Sequence, residues 1–132
     1  MAVADEANAP GAVIDRFAEL IGAGDVEGAL ALYEEDAVFL PEPGRLERGR
    51  NAIRAALAPL AELRPRMTGE IERTLVAGDT ALVINAWTLA GTGPAGQPVS
   101  MAAKSADVLR RREDGSWGIA IDDPWGGAQA AG

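Results

Sequence analysis

The sequence predicts a single α+β domain, with three N-terminal helices packed on an antiparallel sheet and an apolar pocket between the layers. Two periodicities carry this reading. Apolar residues recur at helical spacing as far as Leu60, whereas from Met67 onward they alternate or are β-branched. Helices followed by a meander of strands indicate α+β rather than βαβ. The length of 132 residues, with no internal repeat, fits one domain whose core folds without cross-links. The domain is expected over residues 11–126, between flexible tails at 1–10 and 127–132.

Val13, Ile14, Phe17, Leu20 and Ile21 form the buried stripe of a first helix ending at Gly22 or Gly24. Asp25 can cap a second helix that buries Val26, Ala29, Leu30 and Tyr33. Ala37 to Leu40 read as a short strand stopped by Pro41-Glu42-Pro43-Gly44. A third helix begins near Gly49 with Ala52, Ile53, Ala56, Leu57 and Leu60 on one face, and Pro59 should end or kink it. Four long antiparallel strands follow, Met67 to Ala77, Thr80 to Ala90, Val99 to Arg112 and Trp117 to Asp122. Gly78-Asp79 and Asp114-Gly115 serve as hairpin turns, and Gly91 to Gln97 is a loop.

Composition limits the chemistry. With no Cys and no His, the chain has no thiolate nucleophile, no Ser-His triad and no imidazole base or metal ligand. Acid–base work must fall to carboxylates, Tyr33, Lys104 or water. No metal site and no cofactor is expected, since no Gly-rich phosphate loop is present either. Twelve basic against 20 acidic residues give a formal charge of −8, which disfavours nucleic acid and anionic membrane as partners. No apolar run is long enough to span a bilayer. The acidic N-terminus does not read as a signal peptide, so a cytoplasmic location is expected.

The string Ala23-Gly24-Asp25-Val26-Glu27-Gly28-Ala29-Leu30, leading through Tyr33 to Asp36-Ala37-Val38, is followed by Gly49-Arg50-Asn51-Ala52-Ile53. Asp114-Gly115-Ser116-Trp117 then precedes the last strand. In order and spacing these resemble the SnoaL-like branch of the nuclear transport factor 2-like superfamily, over about Val13 to Gly126. The resemblance implies a cone-shaped α+β roll, a strongly bent sheet wrapping the helices around a pocket, and often a homodimer. It does not fix an activity. Against the ketosteroid isomerases, Phe17 falls where that family has a tyrosine donor, Glu42 near its carboxylate base and Asp107 at its neutral acid. Against the limonene epoxide hydrolases, Asp122 matches the last-strand aspartate, while Asn85 and Trp87 replace the arginine and the other acid. The SnoaL-like polyketide cyclases are nearest in general pattern, although their acid–base pair includes a histidine that this chain lacks.

Asp107 shares a strand face with Met101, Ala103 and Ser105, opposite Ala102, Lys104, Ala106 and Val108. Turned toward the helices, its carboxyl would be desolvated and raised toward neutral pKa; turned outward, it would be a solvated acid paired with an arginine. Alternation alone does not choose the face. Asp122 is either a general base in the pocket or a strand-end acid of the Asp123-Pro124 turn. Two adjacent acids cannot both point inward, and the resemblance selects Asp122, leaving Asp123 on the surface. Glu42 is either a carboxylate over the pocket rim or an exposed loop acid.

Asn85 and Trp87 share a face with Val83 and Leu89, where Asn85 either orients a polar substrate atom or is a satisfied core amide. Phe17, Tyr33, Asn85, Trp87, Met101 and Ser105 complete the candidate substrate-binding set, although aromatic residues at such positions are commonly core. Trp117 reads as structural. Lys104 reads as an outward or interface charge and Arg110-Arg111-Arg112 as a strand end balancing nearby acids. The combination predicts a cofactor-free isomerase, cyclase or lyase. It would use Asp122 or Asp107 as general acid/base on a hydrophobic, polyketide- or steroid-like oxygenated metabolite. The alternative is a non-catalytic small-molecule-binding or dimerisation domain. A homodimer is expected from the apolar Ala102/Ala106/Val108 face.

Overall fold

A computed structural model describes residues 9–127. Residues 1–8 and 128–132, covering most of the two expected tails, lie outside the described residues. Helix α1 (Pro10–Gly22) starts on a proline, whose missing N–H costs nothing in a first turn. Helix α2 (Val26–Leu30) is capped by Asp25, whose Oδ1 accepts from the Gly28 N–H at 2.8 Å. It stops short of Tyr33, which helical spacing alone assigns to this helix. Tyr33 instead opens strand β1 (Tyr33–Glu42), drawn into the sheet by the Ile119 N–H, which donates to the Leu32 carbonyl at 2.8 Å.

Strand β1 is longer than the expected Ala37–Leu40 segment and turns at Gly44 (φ +84°) into β2 (Arg45–Arg48). Arg-Leu-Glu-Arg has no apolar alternation, which suits a charged edge strand and hides it from the sequence pattern. Helix α3 (Arg50–Glu62) runs through Pro59 instead of ending there. Pro59 and Ala55, whose carbonyl loses its usual partner, both lie on the exposed face, open to solvent.

The strands β3 (Arg66–Ala77), β4 (Thr80–Thr92), β5 (Pro98–Arg111) and β6 (Trp117–Asp123) form the expected antiparallel meander. The sheet has six strands in the order β2-β1-β6-β5-β4-β3. It is mixed, because β1 pairs with β6 in parallel. The helices lie on one face, and Ile14, Leu20 and Ile21 of α1 and Ile53 and Leu57 of α3 share a core with Ala37, Phe39, Val83, Leu109 and Ile119. Fully burying such side chains contributes roughly 1.5–3 kcal/mol each, so this layer contact dominates the stability of the fold.

Arg110, Arg111 and Arg112 meet Asp36, Asp79 and Glu34 at 3.3, 3.5 and 2.8 Å, and Lys104 points outward to Glu72 at 3.0 Å. The three pairs other than Arg112–Glu34, which is part-buried, are largely exposed and add little stability. No helix among the described residues is long and apolar enough to cross a membrane.

One irregularity decides what the inner face carries. Val108 pairs with Ile121 and the next residue, Leu109, with Ile119, so Ala120 is an extra residue in β6. Such a bulge reverses the alternation of the strand beyond it. Trp117 and Ile119 face the core, Ile121 is exposed, and Asp122 turns back inside.

Candidate functional site

The inner face of β4, β5 and β6 and the α1 side chains Ile14, Asp15, Phe17 and Ala18 line a partly open cavity of about 130 Å³, with Leu60 of α3 on its wall. Its polar end is built on strand register. Asp107 stands opposite Asp122 across β5 and β6, and Ser105 opposite Asn85 across β4 and β5. Asp107, Asp122, Asn85 and Ser105 are all buried, at 3%, 8%, 6% and 4% exposure, and all line the cavity.

The two carboxyls are held differently. Asp122 Oδ2 accepts from the Tyr33 hydroxyl at 2.5 Å, and Asp107 Oδ2 accepts from Ser105 Oγ at 2.9 Å. Asp107 Oδ1 and Asn85 Oδ1 are buried with no hydrogen-bond partner among the described residues. Burial pushes the Asp107 carboxyl well above the ordinary carboxylate range, and the neighbouring Asp122 charge and hydrogen bond push it further. Burial also raises Asp122, but the neighbouring Asp107 carboxyl and the hydrogen bond from Tyr33 oppose the rise. Two adjacent buried acids cannot both ionise cheaply, so the carboxyls titrate as a pair that shares one proton between its two steps. Asp107 is the better place for it, because it is pushed up the more strongly and ionised Asp122 keeps the Tyr33 hydroxyl as its donor. Tyr33 is raised well above its usual value, by burial first and by Asp122 second, and therefore remains a hydroxyl donor.

Phe17, Trp87 and Met101 line the cavity. Tyr33 does not line it. It lies fully buried behind the wall, its ring edge-on to Phe17 (6.1 Å, 79°), and reaches the site only through Asp122. Glu42 also stands apart. Pro41-Glu42 ends β1 instead of forming a rim loop, and alternation sends Phe39 and Pro41 to the cavity and Glu42 outward to Arg45 at 3.5 Å. Asp123 occupies the turn, its Oδ1 accepting from the Trp125 N–H at 3.2 Å.

Sequence reasoning missed Trp125. Its indole packs edge-to-face on Trp87 (5.4 Å, 72°) and donates to the Pro41 carbonyl at 3.4 Å, while Trp87 donates to the Pro124 carbonyl at 2.7 Å. The Gly127 N–H, bonded to the Lys104 carbonyl at 3.0 Å, holds this segment on β5. A tryptophan in an otherwise Gly/Ala-rich end was the only available signal. Gly69 was missed as well. A Cβ there would stand 2.8 Å from Asn85 Oδ1, so the glycine makes room for that amide.

Comparison with known proteins agrees with the fold. A conserved protein from Planctomyces limnophilus superposes with a TM-score of 0.80 at 25% identity, over 90% of this chain and 93% of that one. A protein of unknown function from Mycobacterium tuberculosis gives 0.73 at 27% identity, over 85% and 70%. A ketosteroid isomerase-like protein from Erwinia carotovora gives 0.74 at 24% identity, over 85% and 88%, a likeness that extends to the fold alone. No curated protein matches the chain. The family model for the SnoaL-like domain matches residues 14–118. The chain therefore belongs to the SnoaL-like domain family.

Proposed function

We propose that this protein is a cofactor-free acid–base enzyme of the isomerase or cyclase kind, acting on a hydrophobic oxygenated molecule next to a carbonyl. The observation that carries the reading is the Asp107–Asp122 pair in the cavity wall, with Tyr33 donating to Asp122 from behind. Such a pair supplies an ionised carboxylate and a protonated one side by side, as proton transfer in both directions requires. Asp122 takes a proton from the carbon beside the carbonyl. The resulting enolate oxygen is stabilised by the Asp107 carboxyl and the Asn85 amide. The Asp122 carboxyl then returns its proton to carbon, so the protein ends the cycle unchanged. The apolar remainder of the wall (Ile14, Phe17, Leu89, Met101) excludes water and keeps these interactions strong.

Deuterium exchange tests this with a panel of simple carbonyl compounds in place of the natural substrate. The protein is incubated in heavy water with cyclic ketones and β,γ-unsaturated ketones. Exchange at the carbon beside the carbonyl should be faster with the parent than with Asp122→Asn by about 100-fold or more, the usual contribution of a positioned general base. Equal exchange by parent and variant across the panel, with ligands still bound, would instead identify a binding module.

A further inference from the structure

The cavity also restricts what can enter it. Asn85 is more than nine-tenths buried and lines the cavity, yet its Oδ1 has no partner among the described residues. Buried amides in folded proteins are almost always paired. A side-chain amide offers an acceptor on one side and donors on the other, and a hydroxyl complements it whichever way it is turned. The nearby Asp107 Oδ1 is likewise without a partner.

The charge of the lining points the same way. Asp15, Asp107 and Asp122 line the cavity, and no lysine or arginine does. A carboxylate or phosphate would lose its hydration there without gaining a cation. Size is the third restriction. The cavity holds about 130 Å³, whereas an apolar cavity of about 150 Å³ accepts benzene and pockets for drug-sized ligands begin near 300 Å³.

We infer that the cavity binds a neutral single-ring molecule whose hydroxyl sits on the Asn85 amide, and that it rejects anions and fused multi-ring frameworks. This deepens the acid–base reading by naming its substrate class, and rests on that reading only for the site's chemistry. It also separates the protein from the steroid-sized substrates that the resemblance suggests.

The test is a set of binding titrations followed by tryptophan fluorescence, since Trp87 and Trp125 line the cavity, and checked by calorimetry. The probes are 2-cyclohexen-1-ol, its methyl ether, cyclohexanecarboxylate and a tetracyclic steroid alcohol. The alcohol should bind the parent, and the ether about tenfold more weakly, the worth of one hydrogen bond. The carboxylate and the steroid should show no measurable binding. In Asn85→Leu the alcohol and the ether should bind alike. If that variant does not fold, Gly69→Ala serves in its place, because its methyl group displaces the same amide. The inference is overturned if the alcohol does not bind, if the ether matches it in the parent, or if the carboxylate or the steroid binds as well as the alcohol. Turnover plays no part in these titrations, so their failure leaves the exchange experiment untouched, and failure of exchange leaves this inference standing.

Discussion

Replacing Asp107 by asparagine preserves shape and hydrogen bonding while removing a proton equilibrium. The amide can still accept from Ser105 and stays opposite Asp122 in the strand register. In the folded parent the Asp107 carboxyl titrates well above its ordinary range, because of burial and then Asp122; in the unfolded chain it titrates near the usual ~3.9. A raised folded-state pKa means that the native state holds the extra proton between those two values. Stability from this group is therefore complete below the unfolded value and is lost as pH rises through the folded one. The slope is about 1.4 kcal/mol per pH unit while one proton separates the states. Asparagine contributes no such slope at this position. Guanidinium unfolding of parent and variant at intervals from about pH 4 to about pH 9 isolates the effect of the pair, since acids not coupled to Asp107 cancel in the difference. The two proteins should be close at the acid end. The variant should then gain on the parent, at up to about 1.4 kcal/mol per unit, and level off once the parent pair has ionised. For a domain of this size each kcal/mol appears as roughly 3–6 °C in Tm. A stability difference that does not change with pH would refute the shared-proton description.

Three further outcomes follow from the same geometry. Tyr33→Phe strands a buried Asp122 oxygen and should cost about 1–3 kcal/mol in denaturant unfolding, with an upward shift of the lower carboxyl titration of the pair; an unchanged titration would remove Tyr33 from the site. Trp125→Ala removes the edge contact on Trp87 and should weaken 2-cyclohexen-1-ol binding several-fold while changing unfolding by less than ~1.5 kcal/mol, because Trp125 is only half-buried; equal affinity in a binding titration would show that this segment does not close the cavity. On the outer sheet face Leu75, Leu82, Val108 and Ile121 stand side by side in register, with Leu75 and Ile121 51% and 41% exposed. We propose that a second copy covers this row. Sedimentation should give a dimer at high micromolar concentration and a monomer for Ile121→Glu, and a monomeric parent contradicts it.

The layers were legible because they rest on periodicity. The stripe Ile14-Phe17-Leu20-Ile21 and the alternation of β4 and β5 each name a buried face once a partner layer exists. What escaped was whatever tertiary pairing imposes on a locally ambiguous segment. Tyr33 continues a helical spacing, yet parallel pairing with β6 makes it strand, and this is what brings its hydroxyl to Asp122. Arg45–Arg48 is strand because β1 pairs with it, not because of its composition.

The site was half legible for the same reason. Asp107, Ser105, Asn85 and Trp87 follow from alternation once the inner face is known. Asp122 does not, since alternation from Trp117 and Ile119 would bury Asp123 instead. Only the extra residue Ala120 turns Asp122 inward, and no residue in Gly118-Ile119-Ala120-Ile121 announces a bulge. The resemblance to last-strand acids in related families was therefore the sole sequence signal for Asp122. Glu42, also suggested by resemblance, fails because a hairpin replaces the rim loop it needed.

The central claim is that Asp107 and Asp122 share one proton in the cavity wall above the ordinary carboxylate range. Carbon-13 NMR titration of the aspartate carboxyl carbons in the parent, assigned through Asp107→Asn and Asp122→Asn, measures this directly. The account predicts two linked steps, one of them well above the ordinary carboxylate range and each altered when the partner is replaced. Two independent titrations near the usual ~3.9 would contradict it.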